Sequence, residues 1–454
     1  MASAIPSDLR QQVEQQTGCV IAAEQARGGG GASRQGAEVT LRAADGAERH
    51  CYLAWDGRAG DPSRLPYFQR ETAILGALSG TCRDAGVRIA PLVASFPSHL
   101  ALLSEFVSGN DRFPQAEDKA ALASDFMGQL AALHRIDASL PELAPLGDAA
   151  EPPARRIRAN VAQWRRDNLA AGADPVLQLA LAWLADNVPE DRGPAVVLHG
   201  DAGPGNFLYQ GNEVAALVDW ELTHLGDPME DLAQIWVRSL IQPFVPMHEA
   251  FAAYEAASGT AVDLARVKYH RLYFQLSFSV PSTAIAAAPG AQLGASGTAL
   301  MFGTMHKRVM VRSVAELAGI AVSDPELPDC PPDWTDRTFA TALADLKDDI
   351  VPHAGNQRAA AKAKELARLV KFWRRRASHG AAFDAAELAE IRALMPSAPD
   401  NLAGARAALA EAIAADAVPF AAAVQLCHNR VTRETFIMAE AMGALATTWY
   451  EDID

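Results

Sequence analysis

Hydrophobic and polar positions alternate in the opening part of the chain. Val39, Leu41 and Ala43 fall on one side of an extended backbone and Thr40 and Arg42 on the other, the period-two signature of a half-buried strand. Asp45-Gly46 is a hairpin turn signal, and residues 50–55 read as the returning strand. The apolar spacing then lengthens, with Ile74, Leu75 and Leu78 sharing one face of a helix predicted over 68–78. Residues 89–96 and 100–107 read as two more short strands, so the chain opens with a small sheet and one helix.

From about Pro114 the period is mainly helical, with helices predicted over 119–136, 154–170 and 176–187. A compact β interruption follows: an apolar run over 195–198, a strand over 207–209, a Gly211-Asn212 turn and a second apolar strand over 214–218. Helices resume near Pro228 and continue to Ala318. Pro325, Pro328, Pro331 and Pro332 mark a linker, and beyond it alanine-rich helices are predicted over 339–350, 357–378, 384–394, 405–415 and 431–450. These breaks divide the chain into a β-rich segment 1–107, a helical segment 108–322, a proline-rich linker 323–335 and an all-helical tail 336–454, with no internal repeat.

Composition narrows the class of protein. At roughly 150 residues per domain, a chain of 454 residues holds about two or three domains. Half the residues are apolar and a fifth are charged, as in soluble globular proteins. The net charge of −15 repels phosphates, which argues against nucleic-acid and anionic-membrane partners. The five cysteines are scattered, with neither a CxxC pair nor zinc-site spacing, which fits a reducing compartment. Residues 1–10 lack the charged start and apolar stretch of a signal peptide, and the alanine-rich runs are too short to span a bilayer. The expected location is the cytoplasm.

The chemistry concentrates in VVLHGDAGPGNFLYQGNEVAALVDWELTHLGDPMEDLA, residues 196–233. A strand delivers Asp201 into a tight loop containing Gly200, Gly203, Pro204 and Gly205; Asn206 follows five positions on, and Asp219 ends the hairpin's second strand. Two carboxylates and an amide oxygen are thus placed at strand ends facing a common cleft. Phosphoryl transfer needs this combination, because hard oxygen ligands hold Mg²⁺ on ATP while a separate carboxylate orients the attacking hydroxyl. Upstream, the glycine run 28–31 before the Val39 strand suits a loop whose backbone N–H groups close on an anion.

These residues resemble the aminoglycoside phosphotransferase-like branch of the protein-kinase fold over roughly residues 20–320. The matching motifs are His199-Gly200-Asp201, Asn206, Val218-Asp219-Trp220-Glu221 and Gly226-Asp227-Pro228 with Asp231, together with Gly30-Gly31-Ala32-Ser33 in the glycine loop. The resemblance implies an α+β, two-lobed kinase-like fold: a small β-rich N-lobe, a mainly helical C-lobe and, in this chain, a C-terminal all-α domain. It implies Asp201 as catalytic base, Asn206 and Asp219 as Mg²⁺ ligands, and Gly30, Gly31 and Ser33 over the ATP phosphates. It also places Glu71 on the helix that pairs with a phosphate-binding cation, and a hinge at Glu105 and Val107 whose backbone meets adenine. The family usually carries that cation near Ala54 or Trp55. This sequence has none there, leaving Arg49, His50, Arg58 or Arg34 to substitute, or an altered nucleotide site.

Other polar and aromatic features have plainer readings. Asp227-Pro228-Met229-Glu230 reads as a capping box, a reading extended to Asp231, and His199 reads as a loop organiser. Tyr269, Tyr273, Phe274 and Phe278 form a helical stripe that serves as core or lines an acceptor pocket. The cations from Lys362 to Arg376 make either a solvated face ending a helix before Gly380 or an anion or partner site. The leading expectation is an ATP- and Mg²⁺-dependent kinase acting on a small-molecule hydroxyl. By analogy, the acceptor is a hydroxyacyl-CoA, a phenol such as a hydroxyacetophenone or, less favoured, an aminoglycoside. The tail is similar to a small helical domain that accompanies some bacterial phosphotransferases, which favours a catabolic role, and it offers a surface for homo- or hetero-oligomers. The alternative is a catalytically silent kinase-shaped binding or scaffolding subunit.

Overall fold

A computed structural model describes residues 5–27, 34–287, 296–331 and 333–453. The chain forms two compact units, one from Met1–Pro153, Asp191–Val267 and Tyr450–Asp454, the other from Ala154–Glu190 and Lys268–Trp449. In chain order the first unit begins with α1 (Ser7–Thr17), β1 (Val20–Arg27), β2 (Gln35–Arg42), β3 (Glu48–Trp55), α2 (Leu65–Ser79), β4 (Leu92–Phe96), β5 (Ala101–Glu105) and α3 (Lys119–Leu133). The chain then supplies α4 (Pro153–Ala170) and α5 (Pro175–Asp186), most of which belong to the second unit. It returns for β6 (Val196–Leu198), β7 (Phe207–Gln210), β8 (Glu213–Leu217), β9 (His224–Gly226), α6 (Pro228–Ser239) and α7 (Met247–Ser258). Helices α8 (Leu264–Ala287), α9 (Gly297–Leu317), α10 (Trp334–Asp345), α11 (Gln357–Leu394), α12 (Leu402–Ala414) and α13 (Phe420–Met442) complete the order.

The first unit carries a five-stranded antiparallel sheet in the order β1-β2-β3-β5-β4. Its alternating positions pack as the sequence pattern requires: Val39, Leu41, Cys51, Leu53, Ala101 and Leu103 meet Leu9 and Val13 of α1 in one core. The Asp45-Gly46 turn closes β2 on β3, with Asp45 Oδ1 accepting the Ala47 N–H at 2.9 Å. Two elements had no clear pattern in the sequence. Strand β1 breaks its alternation at a register shift between Ile21 and Ala23, and α1 buries only Leu9 and Val13 of an otherwise polar helix.

In the second unit one apolar core takes side chains from α4, α5, α8, α9, α11, α12 and α13, among them Leu177, Leu272, Val314, Ile391, Leu409 and Val424. Helices α11, α12 and α13 therefore share a core with α5, α8 and α9, and the compact units divide the segments 108–322 and 336–454 while 323–335 lies whole in the second unit. Helix α11 runs unbroken for 38 residues where two helices were expected. A lone glycine costs a helix about 1 kcal/mol relative to alanine, and packing of Val370, Phe383 and Ile391 on both sides of Gly380 outweighs it. Two of the tail cations are tied into ion pairs: Arg374 donates to both oxygens of Asp336 at 2.6 and 3.0 Å, and Arg376 donates to Asp384 at 3.0 Å.

The same unit buries an ionic network. Asp174 caps α5 by accepting the Val176 N–H at 3.0 Å and pairs with Lys307 at 2.6 Å and Arg430 at 3.0 Å, while Arg430 also meets Glu434 at 2.8 Å. Desolvation works against the Asp174 charge, but Arg430 and Lys307 outweigh it and hold the carboxyl far below the usual carboxylate range. Of the aromatic stripe, Tyr269 and Tyr273 are core residues: the Tyr269 hydroxyl donates to the Leu184 carbonyl at 3.0 Å, and the Tyr273 hydroxyl accepts from Asn160 at 2.7 Å.

Candidate active site

The first unit's short strands deliver the polar residues. Strand β6 pairs with β9, Leu198 opposite His224, and β7 pairs with β8, Phe207 opposite Leu217. The loop 199–206 between β6 and β7 turns at Gly200, whose φ is +85° and where a Cβ would lie 2.0 Å from the Leu222 carbonyl oxygen. Only glycine fits there.

Helix α6 anchors that loop. The wholly buried Asp231 accepts the backbone N–H of His199 at 2.9 Å and of Gly200 at 3.0 Å. Its Oδ2 also meets His134 Nε2 at 3.0 Å, and the other nitrogen of that ring meets the Tyr254 hydroxyl at 2.8 Å. Burial opposes the Asp231 charge, yet His134 and the backbone donors hold its carboxyl below the usual range. Three residues on, Gln234 accepts the Ala202 N–H at 2.9 Å. The sequence pattern had read Asp231 as part of a helix cap. Asp227 is the cap, accepting the Met229 N–H at 3.0 Å, and Asp231 holds the loop.

His199 is buried, and burial lowers its pKa, so the ring is neutral. Its Nε2 donates to the Val218 carbonyl at 3.0 Å, which fixes the tautomer, and Nδ1 accepts the Asp201 N–H at 3.3 Å. Both nitrogens are engaged in organising the loop.

Asp201 and Asn206 meet directly. The Asn206 amide nitrogen donates to the Asp201 backbone carbonyl and to Oδ2, each at 2.7 Å. Arg238 of α6 contacts both, with Nη1 at 2.7 and 2.8 Å from the Asp201 oxygens and Nη2 at 3.2 Å from Asn206 Oδ1. The amide orientation follows from chemistry, since only its nitrogen can face a carboxylate and only its oxygen a guanidinium. Asp219 follows β8 in a left-handed conformation, φ +66°, and the Val218 N–H before it bonds the Asn206 carbonyl at 3.0 Å. The residue touches solvent on a surface otherwise crowded by the protein around its carboxylate. Desolvation by the surrounding protein, with the charges of Glu221, Asp201 and Glu71, pushes Asp219 up to about 6 against the pull of Arg34.

Gly30, Gly31 and Ser33 lie outside the described residues. Arg34 is described, and it forms a largely buried ion pair with Glu71 of α2. Gln35 stands opposite Trp55 in the β2–β3 register, so Arg34, just before β2, lies beside the end of β3 that carries no cation at Ala54 or Trp55. Burial works against its charge, but the Glu71 carboxylate outweighs this and raises the guanidinium pKa. Arg49 instead pairs with Glu105 at 2.6 Å and Arg58 with Asp56 at 3.4 Å. Arg64 bridges Asp56 at 2.8 Å and Glu221 at 3.2 Å. At the expected hinge, the Glu105 N–H bonds the Pro91 carbonyl at 2.9 Å and the Phe106 N–H bonds the His50 carbonyl at 3.0 Å; half-buried Val107 follows.

Arg238, Gln234 and His134 were not singled out from sequence. A signal was present: Asp231, Gln234 and Arg238 fall three and four apart on a helix otherwise built from buried Leu232, Ala233, Ile235, Trp236 and Val237. Polar residues at that spacing on such a helix mark a face turned to polar partners.

Residues 42–270 match the profile of the phosphotransferase enzyme family, APH. Acyl-CoA dehydrogenase family member 11 of Gallus gallus is 38% identical over 80 residues, 17% of this chain and 10% of that protein. The Homo sapiens protein of the same name is 28% identical over 134 residues, 29% of this chain and 17% of that protein. The chain thus spans less than a fifth of the length of these relatives. A solved structure of a candidate aminoglycoside phosphotransferase from Ralstonia eutropha superposes with a TM-score of 0.52 at 18% identity, covering 69% of this chain and 98% of that one. At that identity the likeness is one of fold.

Proposed function

The chain belongs to the phosphotransferase enzyme family, and from that premise we propose that it transfers the γ-phosphoryl group of ATP to a hydroxyl of a small catabolic molecule. The observation that carries this reading is the meeting of Asp201 and Asn206 on one loop, with Asp219 following directly on Val218, whose N–H donates to the Asn206 backbone carbonyl. Asp201 orients the acceptor hydroxyl and takes its proton as the acceptor oxygen attacks the γ-phosphorus. The bond from that phosphorus to the β,γ-bridging oxygen breaks, and ADP leaves with the electron pair. Arg34, held by Glu71, faces the phosphates in place of the missing strand cation, and the backbone at Glu105 and Val107 receives adenine.

Among the described residues no three His, Cys, Asp or Glu side chains converge into a metal-binding group. The donor set still fits Mg²⁺, which takes one or two protein oxygens and completes its shell with phosphates and water. Asn206 Oδ1, which accepts one bond from Arg238 and keeps a second lone pair, and the Asp219 carboxylate would hold it, where neighbouring carboxylates add negative charge. When bound, the ion neutralises charge on the transferring phosphates.

A hydroxyacyl-CoA is the favoured acceptor, supported by the partial likeness to acyl-CoA dehydrogenase family member 11; a phenol is the next. No described helix is long and apolar enough to cross a membrane, and the proposed setting is the cytoplasm. The reading is tested by Mg·ATP consumption across hydroxyacyl-CoAs, phenols and aminoglycosides, with Asp201→Asn as control. A phosphorylated product is expected from one class, lost in the variant while Mg·ATP binding persists. Turnover retained by Asp201→Asn refutes the assigned base.

A further inference from the structure

We propose that Arg238 is a positioning residue for phosphoryl transfer, clamping the Asp201 base and the Asn206 amide into one rigid unit. This rests on the reading of Asp201 given above. The guanidinium spends its donors on the loop that carries those residues. Nη1 bonds both Asp201 oxygens, Nη2 bonds Asn206 Oδ1 at 3.2 Å and the Pro204 carbonyl at 2.9 Å, and Nε bonds the same carbonyl at 3.3 Å. A planar fork can hold a carboxylate, an amide oxygen and a backbone carbonyl in fixed relation, which a lysine ammonium cannot.

The loop is shaped to admit it. A Cβ at Gly203 would lie 2.9 Å from Arg238 Cδ, and one at Gly205 would lie 2.8 Å from Gln242 Oε1 and 3.3 Å from Arg238 Nη2. Arg238 is held in turn by α6, whose Asp231 and Gln234 bond the start of the same loop. One helix therefore fixes both the loop backbone at 199, 200 and 202 and the side chains of Asp201 and Asn206. The Asp201 and Arg238 side chains are 19% and 21% exposed, so the pair borders solvent rather than filling a core. An acceptor can reach the carboxylate while Arg238 and Asn206 fix its orientation.

The test compares wild type, Asp201→Asn, Arg238→Met, Arg238→Lys and Arg238→Ala, reading kcat, KM for ATP, calorimetric Mg·ATP affinity and thermal stability. Arg238→Met is expected to lose about 100-fold in kcat, because misplacing a reacting group by an ångström costs on that order, with Mg·ATP affinity held within about threefold. Arg238→Lys keeps a charge without the fork and is expected to recover only part of the loss. Added ethylguanidinium is expected to restore activity to Arg238→Ala. If Asp201→Asn is inactive and Arg238→Met retains full kcat, the clamp is refuted while the base stands. If kcat, nucleotide affinity and melting temperature fall together in every Arg238 variant without guanidinium rescue, Arg238 merely supports the fold and the inference fails. Turnover retained by Asp201→Asn, or no phosphoryl transfer by wild type, overturns the reading of the site and the clamp with it. Should Arg238→Met not fold, the lysine variant decides, since it preserves the aliphatic stem.

Discussion

Replacing Arg34 by methionine separates stability from nucleotide recognition. The Arg34 and Glu71 side chains are 16% and 7% exposed. Deleting the cation leaves Glu71 buried without its partner, a loss of about 3–5 kcal/mol for a well-buried pair. Arg34 retains some contact with solvent, so the lower end, about 3 kcal/mol, is expected from urea unfolding. The double variant Arg34→Met with Glu71→Leu removes both charges and should recover most of that stability, because apolar replacement of a buried pair is often neutral. Nucleotide affinity should not recover. A charge-assisted hydrogen bond to phosphate contributes about 1.5–3 kcal/mol, so calorimetry should show Mg·ATP binding weakened roughly 10- to 150-fold in both variants. Wild-type affinity in either variant would refute the role given to Arg34 and return attention to the empty cation position near Ala54 and Trp55.

Other parts of the structure yield sharp expectations. Gly200→Ala, with a Cβ 2.0 Å from the Leu222 oxygen and φ at +85°, should cost roughly 2–5 kcal/mol through overpacking and backbone strain; an unchanged melting temperature would contradict that geometry. Burial holds His306 neutral by lowering its pKa from 6.5 to about 4, so the unfolded chain takes the proton first as pH falls. Its stabilising contribution is full above 6.5 and declines toward 4, a loss of about 2 kcal/mol between pH 7.5 and 5; urea titrations at both pH values should show His306→Gln losing that much less than wild type. Arg430→Met removes the cation shared by Asp174 and the half-buried Glu434; Lys307 still pairs with Asp174, so the loss should fall at or below the low end for a buried pair, about 3 kcal/mol, and adding Asp174→Asn should return part of it.

Much of the sheet and of the loop's geometry was legible in the chain because local pattern and local structure coincide. The alternation through Val39 and Leu41 and the Asp45-Gly46 turn become the β2–β3 hairpin, and the spacing of Asp201 and Asn206 becomes a hydrogen bond. What the pattern hid depends on distant partners. Among four cations proposed in place of the absent one, only register and packing single out Arg34 as the partner of Glu71. Asp231 looked like part of a cap because its role depends on loop amides more than thirty residues upstream. The proline-rich stretch read as a boundary, yet apolar side chains on both sides of it enter the same core, a choice made by packing and invisible to composition.

The way the units are threaded has a consequence during synthesis. Asp174 and the Arg430 that neutralises it are 256 residues apart, and α5 cannot complete its core until α12 and α13 exist. At roughly 5–20 residues per second, translation leaves that apolar helix waiting on the order of 10–50 s before its partners are made. Tyr450 packs its ring 5.8 Å from that of Trp236, so the unit carrying the loop 199–206 also receives a late contribution. A nascent chain of this topology holds an unfinished helical core for most of its time on the ribosome, which makes it a natural client for chaperones that shield apolar surface.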